Sequence, residues 1–238
     1  MLISPHYIKL KIRNSLKKFS FITKIYSFYT TLKSKDIFCK RAKIINNGYG
    51  SIQKMIVGRN NVIVIGKNTK TNNTIFHIIG ENNTIEIGDN CCIGKGCSFW
   101  MEGNNIRIKI GSETTFTQYC HFNAQENGSS IEVGEGCMFS NKIIVRTSDS
   151  HPIYDIKTGK RINPALPVKI GNKVWIAPDS KIMKGADIGD GCIIGSNTMV
   201  GKVIPAHSLA VGMPAKVVKN GIKWTREDVI FKKNEYGQ

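Results

Sequence analysis

The chain has 238 residues, 41% of them hydrophobic, and a formal net charge of +17. The length suits one domain with an appendage, and the hydrophobic share excludes a mostly disordered chain. The charge is local: residues 1–70 carry +14 and residues 71–238 only +3, which argues against a uniformly basic nucleic-acid-binding domain. No helix-turn-helix, zinc-finger or RNA-binding motif accompanies it.

At the N-terminus, Ile8, Ile12, Leu16, Phe19, Ile22, Tyr26 and Tyr29 recur at steps of three and four. This predicts an amphipathic helix over 5–33, with Lys9, Lys11, Lys17, Lys18 and Lys24 mostly off the apolar stripe. The same lysines interrupt every stretch that would serve as a signal peptide, and no run of 18 apolar residues exists to cross a membrane as a simple helix. Three uses of the basic segment 1–50 stay open: a cap on the repeat that follows, a peripheral contact with the anionic inner membrane, or attraction of an anionic glycan. Seven cysteines without a CxxC pair argue against a disulfide framework or zinc site and for a cytoplasmic protein with reduced thiols.

Residues 51–212 read as a repeat. Ile170, Ile176, Ile182, Ile188, Ile194 and Val200 are spaced by six, and Gly or Ala follows all but Ile182. Six residues advance an α-helix by about 600°, so the apolar side chains would drift round it. A chain that turns a corner every six residues uses both features, with the aliphatic pointing inward and the glycine relaxing the corner. This is the hexapeptide signature of a parallel β-helix. Upstream, the triplets Ile87/Ile93/Phe99, Ile110/Phe116/Phe122 and Val133/Phe139/Val145 start 23 residues apart, five more than three sixes. The stretches Gly58–Gly66, Gly80–Gly88 and Gly103–Gly111 resemble one another and are rich in Asn and Gly, which predicts widened corners on one edge. Cys91, Cys97, Cys120, Cys137 and Cys192 fall four positions after an aliphatic or Phe, a slot for a small buried residue.

Between Val145 and Ile170 lie 25 residues where the repeat needs six, so a loop over 146–169 must leave the coil. Long excursions from a rigid repeat are usually functional. His151 stands at its takeoff, where an imidazole suits general-base work, and Asp149 either orients that ring or caps the loop. Asn123 and Glu126 precede this coil and either face an acceptor or form a turn with Asn127 and Gly128. Trp175 follows Val174 and should point outward. Residues 213–238 form a tail, with a short helix over 224–233, Thr225 as its N-cap and Glu227 and Asp228 in the first turn.

Three stretches are specific: Val168-Lys-Ile-Gly-Asn-Lys-Val-Trp-Ile-Ala177, Ile188-Gly-Asp-Gly-Cys-Ile-Ile-Gly195 and Val211-Gly-Met-Pro-Ala-Lys-Val-Val218. On them the chain resembles the left-handed β-helix acyltransferases of the hexapeptide superfamily, and within these the bacterial capsular sialic acid O-acetyltransferases. The resemblance implies an all-β, left-handed, trimeric fold with active sites between subunits. It implies His151 as catalytic base and Trp175 as a site residue. It also implies acetyl-CoA as donor along a groove lined by Ala177, Ser196, Gly201 and Lys202, with Lys202 and Lys219 meeting its phosphates and no metal. Gly201-Lys202 stands where many relatives have Thr-Lys, which removes a hydroxyl contact, and Lys219 stands where several have Arg. The acceptor implied is a hydroxyl of a surface glycan or its sugar precursor; the alternative is a small-molecule antibiotic acetyltransferase of the same fold. Carbonic anhydrases also use this prism, with three histidines on zinc. The five histidines here, His6, His77, His121, His151 and His207, include no close pair of that kind.

Overall fold

The computed structural model describes residues 42–227, and the described residues contain strands and turns but no helix. They form a parallel β-solenoid whose coils each cross three faces. The first face stacks Lys43–Asn46, Val62–Ile65, Thr84–Ile87, Arg107–Ile110, Ser130–Val133, Val168–Ile170, Asp187–Ile188 and Val203–Ile204. The second stacks Cys92–Lys95, Thr115–Gln118, Met138–Phe139, Trp175–Ile176, Ile193–Ile194 and Ser208–Val211. The third stacks Ser98–Glu102, His121–Gln125, Ile144–Arg146, Lys181–Ile182 and Met199–Val200. In the early coils, Tyr49–Val57 and Lys70–Ile79 run through both the second and third faces. The solenoid thus begins at Lys43, inside the segment read as 1–50, and the helix expected over 5–33 lies outside the described residues.

The core follows the six-residue spacing. Every one of the Ile, Val and Phe side chains that set the period is buried, from Ile87 to Val200. Phenylalanines stack from coil to coil, Phe99 on Phe122 at 5.3 Å and Phe116 on Phe139 at 4.8 Å. Each such ring removed from water contributes roughly 1.5–3 kcal/mol.

The corners differ from the expectation in one respect. Glycines directly after the aliphatics do not take left-handed backbone; all but Gly201 instead admit the next coil. A Cβ on Gly88 would lie 2.5 Å from Ser112 N, and one on Gly171 would lie 2.2 Å from Asp190 Oδ1. The left-handed residues come later, immediately before the small slot: Asn68, Asn90, Glu113, Lys173 and His207 on one edge, Asn73, Tyr119, Lys142 and Asp179 on the next. The five slot cysteines are buried, as expected, and Cys92 is exposed. The slot also wants a donor. Cys91 Sγ reaches Gly111 O at 3.3 Å and Cys137 Sγ reaches Gly171 O at 3.1 Å, as Thr69 Oγ1 reaches Gly88 O at 2.7 Å and Ser180 Oγ reaches Gly195 O at 2.8 Å.

The widened edge carries an asparagine ladder. Buried Asn83 donates from Nδ2 to Gly103 O at 2.8 Å and accepts from Ile106 N at 2.8 Å, and its own amide donates to Asn61 Oδ1 at 3.1 Å. Asn83→Ala leaves a half-buried carbonyl and a buried N–H without this partner. It should cost about 2 kcal/mol, read as a lowered chemical-denaturation midpoint; an unchanged midpoint would remove this role.

The second face continues to Val211, and Lys216–Asn220 then returns antiparallel to it. Of the helix expected over 224–233, residues 224–227 contain no helical turn; the remainder lies outside the described residues. Trp224 Nε1 donates to Lys173 O at 2.7 Å, and Arg226 donates to Thr115 Oγ1, Glu113 O, Gly136 O and Cys137 O at 2.7–3.1 Å. These bonds hold the stretch against the second face. Thr225 Oγ1 does accept from Glu227 N, at 3.3 Å.

Candidate active site

The chain leaves the third face after Arg146 and rejoins the first at Val168. Thr147 and Ser148 are buried at the exit, where Gln125 N donates to Thr147 Oγ1 at 3.0 Å. Three residues later His151 is exposed, and no described residue bonds its ring. Its backbone, in contrast, is held: Asn163 Nδ2 donates to His151 O at 2.9 Å.

Asn163 is the hub of the loop and is buried. The same Nδ2 donates to Asp149 Oδ2 at 2.9 Å, while Oδ1 accepts from Ile153 N at 2.6 Å. Lys184, on the coil beyond, pairs with Asp149 Oδ2 at 2.5 Å and donates to Asn163 O at 3.2 Å. Asp149 therefore reaches Lys184 and Asn163 rather than the imidazole. The Lys184 ammonium, then Asn163, hold its carboxyl below the usual aspartate range.

A second clamp crosses the loop. Arg161 forks both Glu126 oxygens at 2.7 Å, and Ser148 Oγ donates to Glu126 Oε1 at 2.5 Å. Bidentate guanidinium–carboxylate pairs fix direction as well as distance. The Arg161 bonds, aided by Ser148, bring Glu126 down to about 2. The sign follows: a depressed carboxyl keeps its native contribution above its unfolded value and loses it only as pH falls through the folded one. The loop should hold its protection against amide exchange from neutrality down past pH 4, then lose it toward pH 2. In Glu126→Gln that protection should already be weak at neutral pH; equal protection in both proteins would discount the clamp.

The remaining expected residues divide among the edges and faces. Trp175 stands on the second face, paired in register with Met138 and Ile193, so one chain does not put it on the same face as the His151 loop. Its Nε1 is buried without a hydrogen-bond partner, and Trp224 packs beside it at 6.1 Å. Ala177 and Ser196 share the edge between the second and third faces, and Ala177 N already donates to Ile194 O at 2.8 Å. Gly201 and Lys202 lie on the following edge, exposed, and Lys219 is exposed on the returning strand. Asn123 projects from the third face beside Trp100 and Arg146, its Oδ1 buried without a partner. Sequence reasoning did not find Lys184, Arg161, Trp224 or Arg226. Their partners lie 35 residues or more away, or on another coil, and no local pattern marks them. Among the described residues no three His, Cys, Asp or Glu side chains gather as metal ligands, and no helix is long and apolar enough to cross a membrane.

Residues 167–202 match the family model of the bacterial transferase hexapeptide, with six repeats. The chain is 33% identical over 183 residues to the polysialic acid O-acetyltransferase of Neisseria meningitidis, covering 74% of this chain and 80% of that protein. The chain belongs to the hexapeptide-repeat acyltransferases. It is 39% identical over 92 residues to the polysialic acid O-acetyltransferase of Escherichia coli O1:K1, a match spanning 39% of this chain and 30% of that relative. Among solved structures it is similar to the polysialic acid O-acetyltransferase OatWY, with a TM-score of 0.72, 28% identity and coverage of 82% of this chain and 92% of the other. It is also similar to the polySia-specific acetyltransferase NeuO, with a TM-score of 0.51 at 28% identity, covering 80% of this chain and 91% of that one.

Proposed function

We propose that this acyltransferase moves an acetyl group from acetyl-CoA to a hydroxyl of a surface polysaccharide, or of its sugar precursor, with His151 as general base. The observation that carries the reading is an exposed imidazole, bonded by no described residue, on a loop base that two cross-coil clamps hold still. The imidazole takes the proton of the acceptor hydroxyl, and that oxygen attacks the thioester carbonyl. As the C–S bond breaks, the proton returns to the leaving thiolate. No protein nucleophile is required.

The solenoid is read as left-handed and the assembly as a homotrimer. The placement of His151 and Trp175 on different faces supports sites between subunits, with the Trp175 of one copy facing the loop of another. In this reading the donor lies along Ala177, Ser196, Gly201 and Lys202, and Lys202 and Lys219 meet its phosphates as point charges. Asn123 offers its amide to the acceptor, and Glu126 serves the site by holding Arg161 and the loop. The glycan class comes from the named relatives, and the protein is read as cytoplasmic, with a peripheral contact with the inner membrane through the basic segment that precedes the solenoid.

The test is thiol release from acetyl-CoA by the full chain, with and without polysialic acid. Release that depends on the polymer, with an equivalent of acetyl ester on the glycan, is expected. Release no faster with this or any other capsular glycan would overturn the proposal.

A further inference from the structure

The third face carries a feature of which the proposed function uses only Asn123. Its inward side chains are buried core: Phe76 and Ile78, Phe99 and Met101, Phe122 and Ala124, then Val145. Alternation therefore sends His77, Trp100, Asn123 and Arg146 outward, and the ladder registers them in one column. The His77 and Trp100 rings stack at 4.0 Å with 10° between planes, and His121, in the next column, meets Trp100 edge-on at 5.7 Å. Trp100 and His121, both half-buried, thus form a ring patch on the outside of the solenoid, backed by His77, which is itself buried.

Two polar atoms in the column, His77 Nε2 and Asn123 Oδ1, are buried without a hydrogen-bond partner, and Glu102 Oε1 lies 3.7 Å from His77 Nε2. Ser98 Oγ lies 2.8 Å from His121 Nδ1 and fixes that ring's orientation. Burial, followed by the neighbouring Arg146 charge, pushes His121 below the ordinary imidazole range, toward a neutral flat surface. Arg146 uses two of its five donors on Ser148 O and Ser150 Oγ, which holds the guanidinium against the loop exit. A polar cleft of about 590 Å³, walled by Glu102, Gln125, Ser148 and Ser150 among others, opens at the same end.

We infer that this column is an acceptor platform for an acidic sugar chain lying along the solenoid axis. A saccharide ring rests its C–H face on Trp100 and His121, Asn123 bonds its polar substituents, and Arg146 pairs with a sugar carboxylate. Successive rungs are about 4.8 Å apart, so Trp100 to Arg146 spans about 10 Å and delivers the next hydroxyl to the His151 loop. The inference rests on the proposed glycan acetylation and deepens it by naming where the polymer lies and which of its groups is read.

The experiment is calorimetric binding of a sialic acid hexamer to the full chain without donor, together with the acceptor KM. Trp100→Ala should weaken hexamer binding about tenfold and raise the acceptor KM in step, with the donor KM unchanged. Trp100→Phe should recover most of it. A carboxyl-reduced hexamer should bind the parent weakly and gain no further loss from Arg146→Gln. Should Trp100→Ala fail to fold, His121→Ala reads the same platform. Unchanged binding in these variants, or no hexamer binding by the parent, overturns the platform. A parent that binds the hexamer through Trp100 yet never acetylates it overturns the proposed function and leaves the platform standing.

Discussion

Replacing His151 by alanine should lower kcat/KM for acetyl transfer by about a thousandfold, the usual range for removing a positioned general base. The fold should not suffer. The ring is exposed and no described residue bonds it, while the backbone bond from Asn163 is made to the carbonyl, which alanine keeps. The donor KM should stay near the parent value, because the lost interaction belongs to the transition state. Free imidazole should restore part of the rate, since the space that the ring vacates lies open to solvent. A folded His151→Ala protein with nearly full turnover would remove His151 from the chemistry.

Asn163→Ala should lower kcat about a hundredfold with the imidazole intact, the loss expected when a reacting group is misplaced by about 1 Å. One amide ties together His151 O, Asp149 Oδ2 and Ile153 N, and the residue's carbonyl receives Lys184 and Arg161. Alanine keeps the carbonyl and loses these bonds together with the weaker one from Arg161 Nε to Asn163 Oδ1 at 3.4 Å, so the takeoff loses the ties from Asn163 to Asp149 Oδ2, His151 O and Ile153 N, while Lys184 on Asp149 and Arg161 on Glu126 remain. The rest of the solenoid, whose coils bond to one another without the loop, should keep its midpoint. Free imidazole should give no rescue here, which separates a positioning role from a chemical one. Rescue equal to that of His151→Ala, or an unchanged kcat, would contradict the account of Asn163.

The two variants mark the boundary between what was legible in the residues and what was not. The six-residue period, the cysteine slot and the widened edge are local patterns. Each depends on residues within one coil, and the coil repeats them. Thus Cys137 and Thr114 occupy equivalent slots and make equivalent bonds to the following coil, Cys137 to Gly171 O and Thr114 to Gly134 O. The excess of residues after Val145 likewise announces a loop and places His151 at its root.

The loop's interior was not legible. Asp149 lies two residues from His151, which suggests a carboxylate–imidazole pair, yet the carboxylate finds Lys184, 35 residues on and one coil away. Glu126 reads as a turn or an acceptor contact because its partner, Arg161, is also 35 residues away. Trp224 and Arg226 look like the start of a helix, but their longest-range partners are backbone carbonyls of the second-face edge, which carry no sequence signal. The glycines after each aliphatic were marked correctly and explained wrongly. Close approach of the neighbouring coil requires most of them, as at Gly88 and Gly171, and left-handed backbone falls on the residue before the small slot, whether Asn90, Glu113, Lys173 or Gly136.

The most direct test of the account is a competition in one vessel. Equal concentrations of polysialic acid and chloramphenicol are incubated with the full chain and acetyl-CoA, and the base-labile esters on each acceptor are quantified by mass spectrometry. Ester on the sialic acid polymer alone, absent when His151→Ala replaces the parent, is the predicted result. Ester on chloramphenicol alone, or ester on the polymer at equal rate with His151→Ala, would contradict it.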